Sequence, residues 1–357
     1  MPQLCPELTT KLVSLKQLKQ QFDLEFTKIK NSDSKKSNNL ISIREAKIKL
    51  EQTLKELQNK LWLNTPELTK ENLKAQYETQ VDLLRKSNLL KTLSTGKLGI
   101  EAINHQEYPI PTLEQIEDKM FKNKEFLETK IPQGFVKLVL VPFGLPLDFL
   151  IKAYDNALME HYQQGKLLDT KNKPLKLDKE IGDKFVYDSD SKYYVIAEAS
   201  EGLVYFPQEF SDNHQGKTKK QLLPTQAWQV LLLEDLPDLP AEDKGKTIAG
   251  RAQPEANQAP KDYLKQLQTD PQYQGEQGLT PESWLVYALT HLTQTNQVID
   301  DYQGSGKSCY LVNSYFNRAD TVPFVFFYRG SALVQLVRDT PGDFSSSDST
   351  RFAVSIF

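Results

Sequence analysis

The stretch "VPFVFFYRGSALVQLVRDTPGDFSSSDSTRFAVSIF", residues 322–357, ends a chain of 357 residues and differs in composition from what precedes it. No lysine occurs after Lys307, although an even distribution of the chain's lysines would place about five there. No glutamate occurs after Glu282, and no tryptophan or methionine occurs after Trp284. The arginines that fall in this tail are Arg318, Arg329, Arg338 and Arg351. The tail therefore keeps arginine and aspartate while it loses lysine and glutamate.

The first part of the tail predicts a β-strand with aromatic side chains on a solvent-facing side. Core strands also use few charges, but that explanation does not account for the arginines and aspartates that remain. In "VPFVFFYRG" large apolar residues follow one another, so they must face both sides of a strand. Exposed aromatic rings beside Arg and Ser are typical of binding surfaces, because rings give contact area at low entropic cost.

This composition resembles that of the variable proteins of diversity-generating retroelements. In that family, mutated codons end in a pyrimidine and encode Phe, Tyr, Ser, Arg, Asp, Val and Gly, but never Lys, Glu, Gln, Met or Trp. Gln335 departs from this pattern and is assigned to an unvaried position. "GLTPESWLVYALTHL", residues 278–292, resembles the family's scaffold helix, and Arg351-Phe352 resembles its G-F-R ending without the glycine.

The resemblance covers residues 227–357 and implies a C-type-lectin fold of the formylglycine-generating-enzyme type. The chain is then expected to be α+β, with short antiparallel strands in its C-terminal domain and a varied, ligand-recognising surface. The implied function is binding of a protein or cell-surface ligand without catalysis. The residues implied for that surface are Phe324, Val325, Phe326, Phe327, Tyr328, Gly330, Ser331, Arg338, Asp339, Phe344, Ser345, Ser346 and Ser347.

No cofactor or metal is expected at this surface. Asp339, Asp343 and Asp348 could supply oxygen ligands to calcium, but we expect no bound ion. The four histidines stand far apart, without metal-ligand spacing, and no G-x-S-x-G nucleophile motif occurs.

A second motif, Gly304-Ser305-Gly306-Lys307-Ser308, matches the end of a phosphate-binding loop. Such a loop needs a glycine five residues before Gly306, where this chain has Asp301, and it needs a strand before it and a helix after it. Here residues 281–299 predict a helix and residues 309–316 predict a strand. The motif is therefore predicted to be a turn that binds no nucleotide.

Three regions are predicted along the chain. Residues 1–95 show helical periodicity, residues 96–226 form an α+β middle region, and residues 227–357 form the C-type-lectin-like domain. Within the last two regions, a capped helix is predicted at residues 112–130, single strands at residues 135–143 and 227–236, and two short strands within residues 183–207. The N-terminal helices could form a hairpin on their own body, or a coiled-coil-like stalk that joins copies of the chain or docks on a partner.

The net charge and the apolar pattern of the chain limit the kinds of partner and the cellular locations that we expect for this protein. The net charge of −3 predicts no nucleic-acid partner. No secretory signal is recognised, and the apolar stretch 135–151 is too short and too interrupted to span a membrane, so we expect a protein made in soluble form. Its destination, including display on a virion or cell surface, stays open. The alternatives are a structural or assembly protein and a formylglycine-generating-type oxidase, which in the family needs paired cysteines where this chain has only Cys309.

Overall fold

The computed structural model describes residues 14–15, 17–21, 23–24, 45–53, 65–175, 202–302, 304, 306–329 and 333–357. The chain forms two compact units, Met1–Asn64 and Thr65–Phe357. In the first unit the described residues are helical, and Lys47 forms ion pairs with Asp23 and Glu51. Helical structure in this region was predicted from its apolar periodicity.

The second unit is a mixed α+β structure, as the sequence predicted. Its described helices are α1 (Lys70–Lys86), α2 (Leu113–Lys122), α3 (Lys124–Lys130), α4 (Leu147–Gln163), α5 (Lys219–Leu222), α6 (Pro260–Thr269) and α7 (Pro281–Thr295), with a 3-10 turn at Pro271–Tyr273. Its described strands are β1 (Lys91–Thr92), β2 (Leu98–Glu101), β3 (Glu107–Pro109), β4 (Phe135–Val141), β5 (Leu203–Tyr205), β6 (Gln229–Glu234), β7 (Thr247–Ile248), β8 (Arg251–Ala252), β9 (Glu276–Gly278), β10 (Ser308–Tyr310), β11 (Ser314–Phe316), β12 (Val322–Tyr328), β13 (Leu333–Asp339), β14 (Asp348–Thr350) and β15 (Phe352–Ser355).

A central antiparallel sheet has the strand order β4-β6-β15-β9. Apart from Val136, Glu234, Gln277 and Ser355, its residues are buried, as the continuous apolar runs in β4 and β6 require. Since β4 comes from the predicted middle region and β15 from the end of the chain, one sheet joins the two regions that the sequence analysis separated at residue 227.

Helix α1 covers the outer edge of β4. Gln76 accepts a hydrogen bond from the Leu138 amide at 2.8 Å and donates one to the Val136 carbonyl at 3.0 Å. Gln80 accepts from the Leu140 amide at 3.3 Å. These amide side chains take the place of a neighbouring strand, so the edge is not left open for pairing. The helix belongs to the same compact unit as the sheet, whereas the sequence analysis placed it with the N-terminal region.

A second sheet has the order β13-β12-β10-β14, with β14 parallel to β10 and the other pairs antiparallel. The chain passes from this sheet to the central sheet at Arg351, between β14 and β15. The Arg351 side chain is buried and donates to Asp300 and to the carbonyls of Leu236 and Pro237. The buried guanidinium group of Arg351 thus holds in place the segment of chain that joins the two sheets.

Local differences from the predicted elements have local causes. The predicted helix 112–130 begins at the Thr112 capping box but breaks at Asn123, so it forms α2 and α3. The predicted strand 309–316 is divided by a turn in which Ser314 donates to the Leu311 carbonyl. Of the two strands predicted within residues 183–207, β5 is described, and residues 176–201 lie outside the described part of the chain.

Candidate ligand-binding surface

Successive side chains of strand β12 point to opposite faces of the second sheet. Phe324, Phe326 and Tyr328 are half-buried on one face of the second sheet, whereas Val325 and Phe327 are buried on the other. On β13, Val337 pairs with Phe324 and Asp339 pairs with Val322, so both lie on the face of the half-buried rings. The sheet therefore has one sealed face and one face that carries aromatic rings toward solvent.

The rings on this face form a continuous series, which we call the aromatic row: Tyr302, Phe324, Phe326 and Tyr328. The ring centroids of Phe324 and Phe326 are 5.9 Å apart in a stacked arrangement. Those of Phe326 and Tyr328 are 6.2 Å apart and nearly perpendicular. Tyr302, which is 41% exposed, lies 5.1 Å from Phe326. These separations are those of favourable aromatic pairs, so the rings hold one another in place.

Buried rings support the row from the interior. Tyr310 on β10 lies 5.6 Å from Phe324, and Tyr263 on α6 lies 6.5 Å from Tyr310. Both tyrosines belong to a core cluster that also contains Tyr273 and Phe352. The exposed rings thus continue a packed core outward and do not stand on a mobile loop.

A salt bridge fixes the turn that carries Tyr302. Asp301 is fully buried and accepts two hydrogen bonds from Arg329 Nε, at 2.9 and 3.1 Å, and one from Arg329 Nη2, at 2.5 Å. The Tyr302 amide donates to the Phe327 carbonyl at 3.3 Å. Arg329 follows β12 directly, so this ion pair holds the turn against the end of the aromatic strand.

Carboxylates gather at the other end of the row. The Tyr310 hydroxyl lies 3.2 Å from Asp339 Oδ2 and 3.3 Å from Asp348 Oδ2. Burial raises the pKa of Asp339, and a hydrogen-bond contact with Asp343 raises it further, against the Thr340 amide that donates to Asp339. Burial also raises the pKa of Asp348. Carboxyl groups with raised pKa values therefore mark this end of the surface, and Arg318 and Arg338 line the same cleft as Asp339.

Several residues expected on the surface lie elsewhere. Val325 and Phe327 are 0% and 1% exposed, so the expectation that they reach solvent is not met, because strand alternation turns them to the sealed face. Arg338 is half-buried and lines a cleft with Asp339, but it pairs with Pro323 and so takes the face opposite the aromatic row. Gly330 and Ser331 lie outside the described residues.

The remaining expected residues follow β13. Phe344 is 65% exposed and Ser346 is exposed, while Ser345 and Ser347 are half-buried. Ser345 Oγ accepts from the Ser347 amide at 3.0 Å, and the Ser345 carbonyl accepts from the Asn257 amide at 3.2 Å. Two of these three serines therefore shape the turn before β14, and Phe344 is the large apolar side chain that this turn exposes.

Sequence reasoning missed Tyr302. The residue lies two positions before Gly304, the first residue of the glycine-rich motif. The amides of Gly304 and Gly306 both donate to the Asp301 carbonyl, at 3.0 and 2.8 Å, so they close a turn between α7 and β10. The turn prediction is confirmed, and its structural use is to present Tyr302. The signal available in the sequence was an aromatic residue next to a turn.

The oxidase alternative depends on Cys309, which is buried on β10. Burial raises the pKa of the Cys309 thiol, and Asp300 nearby raises it further. A thiol in this environment is a poor nucleophile and is out of reach of a substrate. Cys5 lies outside the described residues. This geometry favours a packing role for Cys309.

The described residues contain no group of three or more His, Cys, Asp or Glu side chains placed to hold a metal ion. None of the helices in the part of the chain that the structure describes is long and apolar enough to cross a membrane.

Comparison with protein-family models, with characterised proteins and with solved structures finds no match to this chain.

Proposed function

We propose that this chain is a non-catalytic binding protein that contacts a protein ligand through the aromatic row. The observation that carries the proposal is the partial exposure of Phe324, Phe326 and Tyr328, whereas Val325 and Phe327 between them are buried on the reverse face of the sheet. Aromatic side chains dominate the binding energy of protein interfaces, and truncation of a central one commonly costs about 2 kcal/mol or more. Rings already held by their neighbours lose little freedom on binding.

The proposal extends to the family suggested by the sequence, the variable proteins with a C-type-lectin-type domain. Support comes from the composition of the tail and from the exposed positions themselves, since Phe, Tyr, Ser and Asp are all among the residues that the family's varied codons encode. Within the proposal, Phe324, Phe326, Tyr328 and Asp339 are varied, whereas Val325 and Phe327 belong to the constant scaffold.

Sequencing of the gene's surroundings tests the family. We expect a near-copy of the 3′ end of the gene with adenines at the codons for the exposed positions of β12 and β13. Related copies of the gene should differ at those codons and agree at the codons for Val325 and Phe327. Differences spread evenly along the gene, with no near-copy, would refute the family assignment and would leave the binding role to be tested separately.

A selection experiment tests the binding role. The full chain is immobilised and a phage library of random 12-residue peptides is selected against it, with counter-selection against the Phe326→Ser, Tyr328→Ser variant. A Phe149→Ser variant is the matched control, because Phe149 is an exposed phenylalanine, 52% accessible, on α4. We expect peptides that bind the wild type and the control and lose at least tenfold affinity for the double variant.

Two results would contradict the binding role. One is that no selected peptide distinguishes the wild type from the double variant. The other is that the wild type self-associates in sedimentation experiments and the double variant does not, which would make the aromatic row a contact between copies of the chain and would favour an assembly protein.

A further inference from the structure

We infer that a free amino acid with a large apolar side chain binds in a cleft between the three-stranded sheet β1-β2-β3 and the start of α4. The cleft lies outside the aromatic row, so this site is additional to the proposed function. Three features of the cleft point to this ligand: its apolar floor, its size, and a pair of opposite charges on its rim.

The cleft is apolar below its opening. Three buried side chains line its floor: Ile100, Ala102 and Leu145. Phe149, which is 52% exposed, lines its outer wall. The Ile103 amide donates to the Gly144 carbonyl at 3.0 Å, so the turn after β2 is bonded to the loop before α4. The two sides of the cleft are therefore joined through the backbone, as in ligand sites that are formed before the ligand binds.

The volume of the cleft limits the size of its ligand. The cleft holds about 330 Å³, which is the liquid volume of about eleven water molecules at roughly 30 Å³ each. This volume lies at the small end of the range for ligand sites, about 300–1,000 Å³. A ligand of about a dozen non-hydrogen atoms, such as free phenylalanine, therefore matches the space.

Opposite charges lie side by side on the rim. Lys91 on β1 forms an ion pair with Glu101 at the end of β2, and His105 Nδ1 lies 3.7 Å from Glu101 Oε1. The Lys91 and Glu101 side chains are each nearly half exposed. An ammonium group has three hydrogens and a carboxylate has several lone pairs, so both members of the pair can bind a further partner. The hydrogen bond from Lys91 also lowers the pKa of Glu101, which keeps this carboxylate charged.

The paired charges select the class of ligand. A free amino acid carries an ammonium group and a carboxylate on one carbon atom, so it can offer the first to Glu101 and the second to Lys91 while its side chain enters the cleft. A ligand with a single charge would meet a like charge on the rim, and an internal residue of a peptide carries neither group. Hydrogen bonds between charged partners are roughly twice as strong as those between neutral ones.

Calorimetric titration of the full chain with L-phenylalanine tests this site. We expect about millimolar affinity or tighter, as for other ligands of this size. Lys91→Met should weaken binding about tenfold, because the carboxylate loses a charged donor. Lys97→Met is the matched control, since Lys97 is exposed in the turn between β1 and β2 and does not line the cleft, and it should leave the affinity unchanged.

A ligand that lacks the carboxylate shows whether Lys91 contacts this group. Phenethylamine should bind the wild type about tenfold more weakly than phenylalanine does, and Lys91→Met should not weaken its binding further. Glu101→Gln should give the corresponding result with phenylpropionate, which lacks the ammonium group. A merely structural role of the ion pair would change the affinities of all three ligands alike and would overturn the assignment of these contacts. Circular dichroism checks that each variant is folded.

Three further results would overturn the amino-acid site. The first is no binding of phenylalanine at millimolar concentration. The second is equal affinity for phenylalanine and alanine, which would mean that the apolar floor is not used. The third is loss of phenylalanine binding in the Phe326→Ser, Tyr328→Ser variant, which would place the amino acid on the aromatic row. The peptide selection tests the proposed function separately, because Phe326 and Tyr328 do not line the cleft.

Discussion

Phe326 and Phe327 are adjacent in the sequence and lie in opposite environments. We predict that Phe327→Ala lowers the free energy of unfolding by about 3–5 kcal/mol, because it leaves a cavity in the sealed face of the sheet. Phe326→Ala should cost about 1 kcal/mol, since part of the ring is already in water. Urea unfolding followed by fluorescence measures both. Equal losses for the two variants would show that the assignment of faces on β12 is incorrect.

Arg351 gives a second prediction at the level of a single side chain. Its guanidinium donates to both oxygens of Asp300, at 3.1 and 2.5 Å, and to two backbone carbonyls. Arg351→Lys keeps the charge and loses the forked geometry, so we expect it to destabilise the protein by about 3 kcal/mol. Arg318→Lys, at an exposed position, should cost less than about 0.5 kcal/mol. A stable Arg351→Lys protein, with an unchanged urea midpoint, would argue against the anchoring role.

At the residue scale, the sequence predicted that β12 would expose aromatic rings, but it did not predict which ones. Every residue from Val322 to Tyr328 is large and apolar or proline, so periodicity carries no information about the faces. The choice depends on the register with β13 and on the core ring of Tyr310, and both involve residues distant in sequence. Arg338 and Asp339 were both expected on the binding surface, but the register with β12 places their side chains on opposite faces of the sheet.

At the scale of elements, Asp235 connects the end of β6 to α7. Burial pushes the pKa of Asp235 up, but His291 and Lys137 outweigh it and lower the pKa to about 2. Lys137 Nζ lies 3.1 Å from Asp235 Oδ2, and His291 Nδ1 lies 3.5 Å from Asp235 Oδ1. Because the ordinary value is 3.8, the carboxylate stabilises the folded state above about pH 4, and this contribution is lost as the pH falls toward 2.

This pH dependence can be measured with Asp235→Asn. At pH 7 the variant should have a lower urea midpoint than the wild type, and the difference should shrink between pH 4 and pH 2.5, where the wild-type carboxylate begins to take up a proton. The prediction fails if the difference between the two proteins is the same at pH 7 and at pH 2.5, or grows as the pH falls.

Elements with strong local determinants were predicted well. The Thr280 capping box begins α7 and a left-handed Asn296 ends it, and Thr112 begins α2 in the same manner. The apolar runs of β4 and β6 were also recognised. Two-residue strands such as β1 were not, because their pairing depends on a turn partner and not on composition. The glycine-rich turn was recognised as a turn, but its role in presenting Tyr302 needs the Asp301–Arg329 ion pair, which joins residues 28 positions apart.

At the scale of the whole molecule, the arrangement of strands was the least predictable feature. The sequence divides by composition near residues 95 and 227, and both divisions fall within one compact unit. Strand pairing joins β6 to β4, about ninety residues earlier, and to β15, at the end of the chain. No local pattern specifies such partners, since any buried apolar strand could pair with any other.

The unit Thr65–Phe357 should therefore fold without residues 1–64, whereas residues 227–357 should not fold alone. The shorter fragment keeps β6, β9 and β15 but lacks β4, α1 and α4, so it would expose an apolar strand edge and much of the buried core around α7.

We expect the fragment 65–357 to show one cooperative unfolding transition and a near-ultraviolet circular dichroism spectrum typical of packed aromatic rings. The fragment 227–357 should aggregate or lack that spectrum. A soluble, cooperatively folded 227–357 fragment would show that this region is an independent domain, and that the sheet shared with β4 is dispensable for its fold.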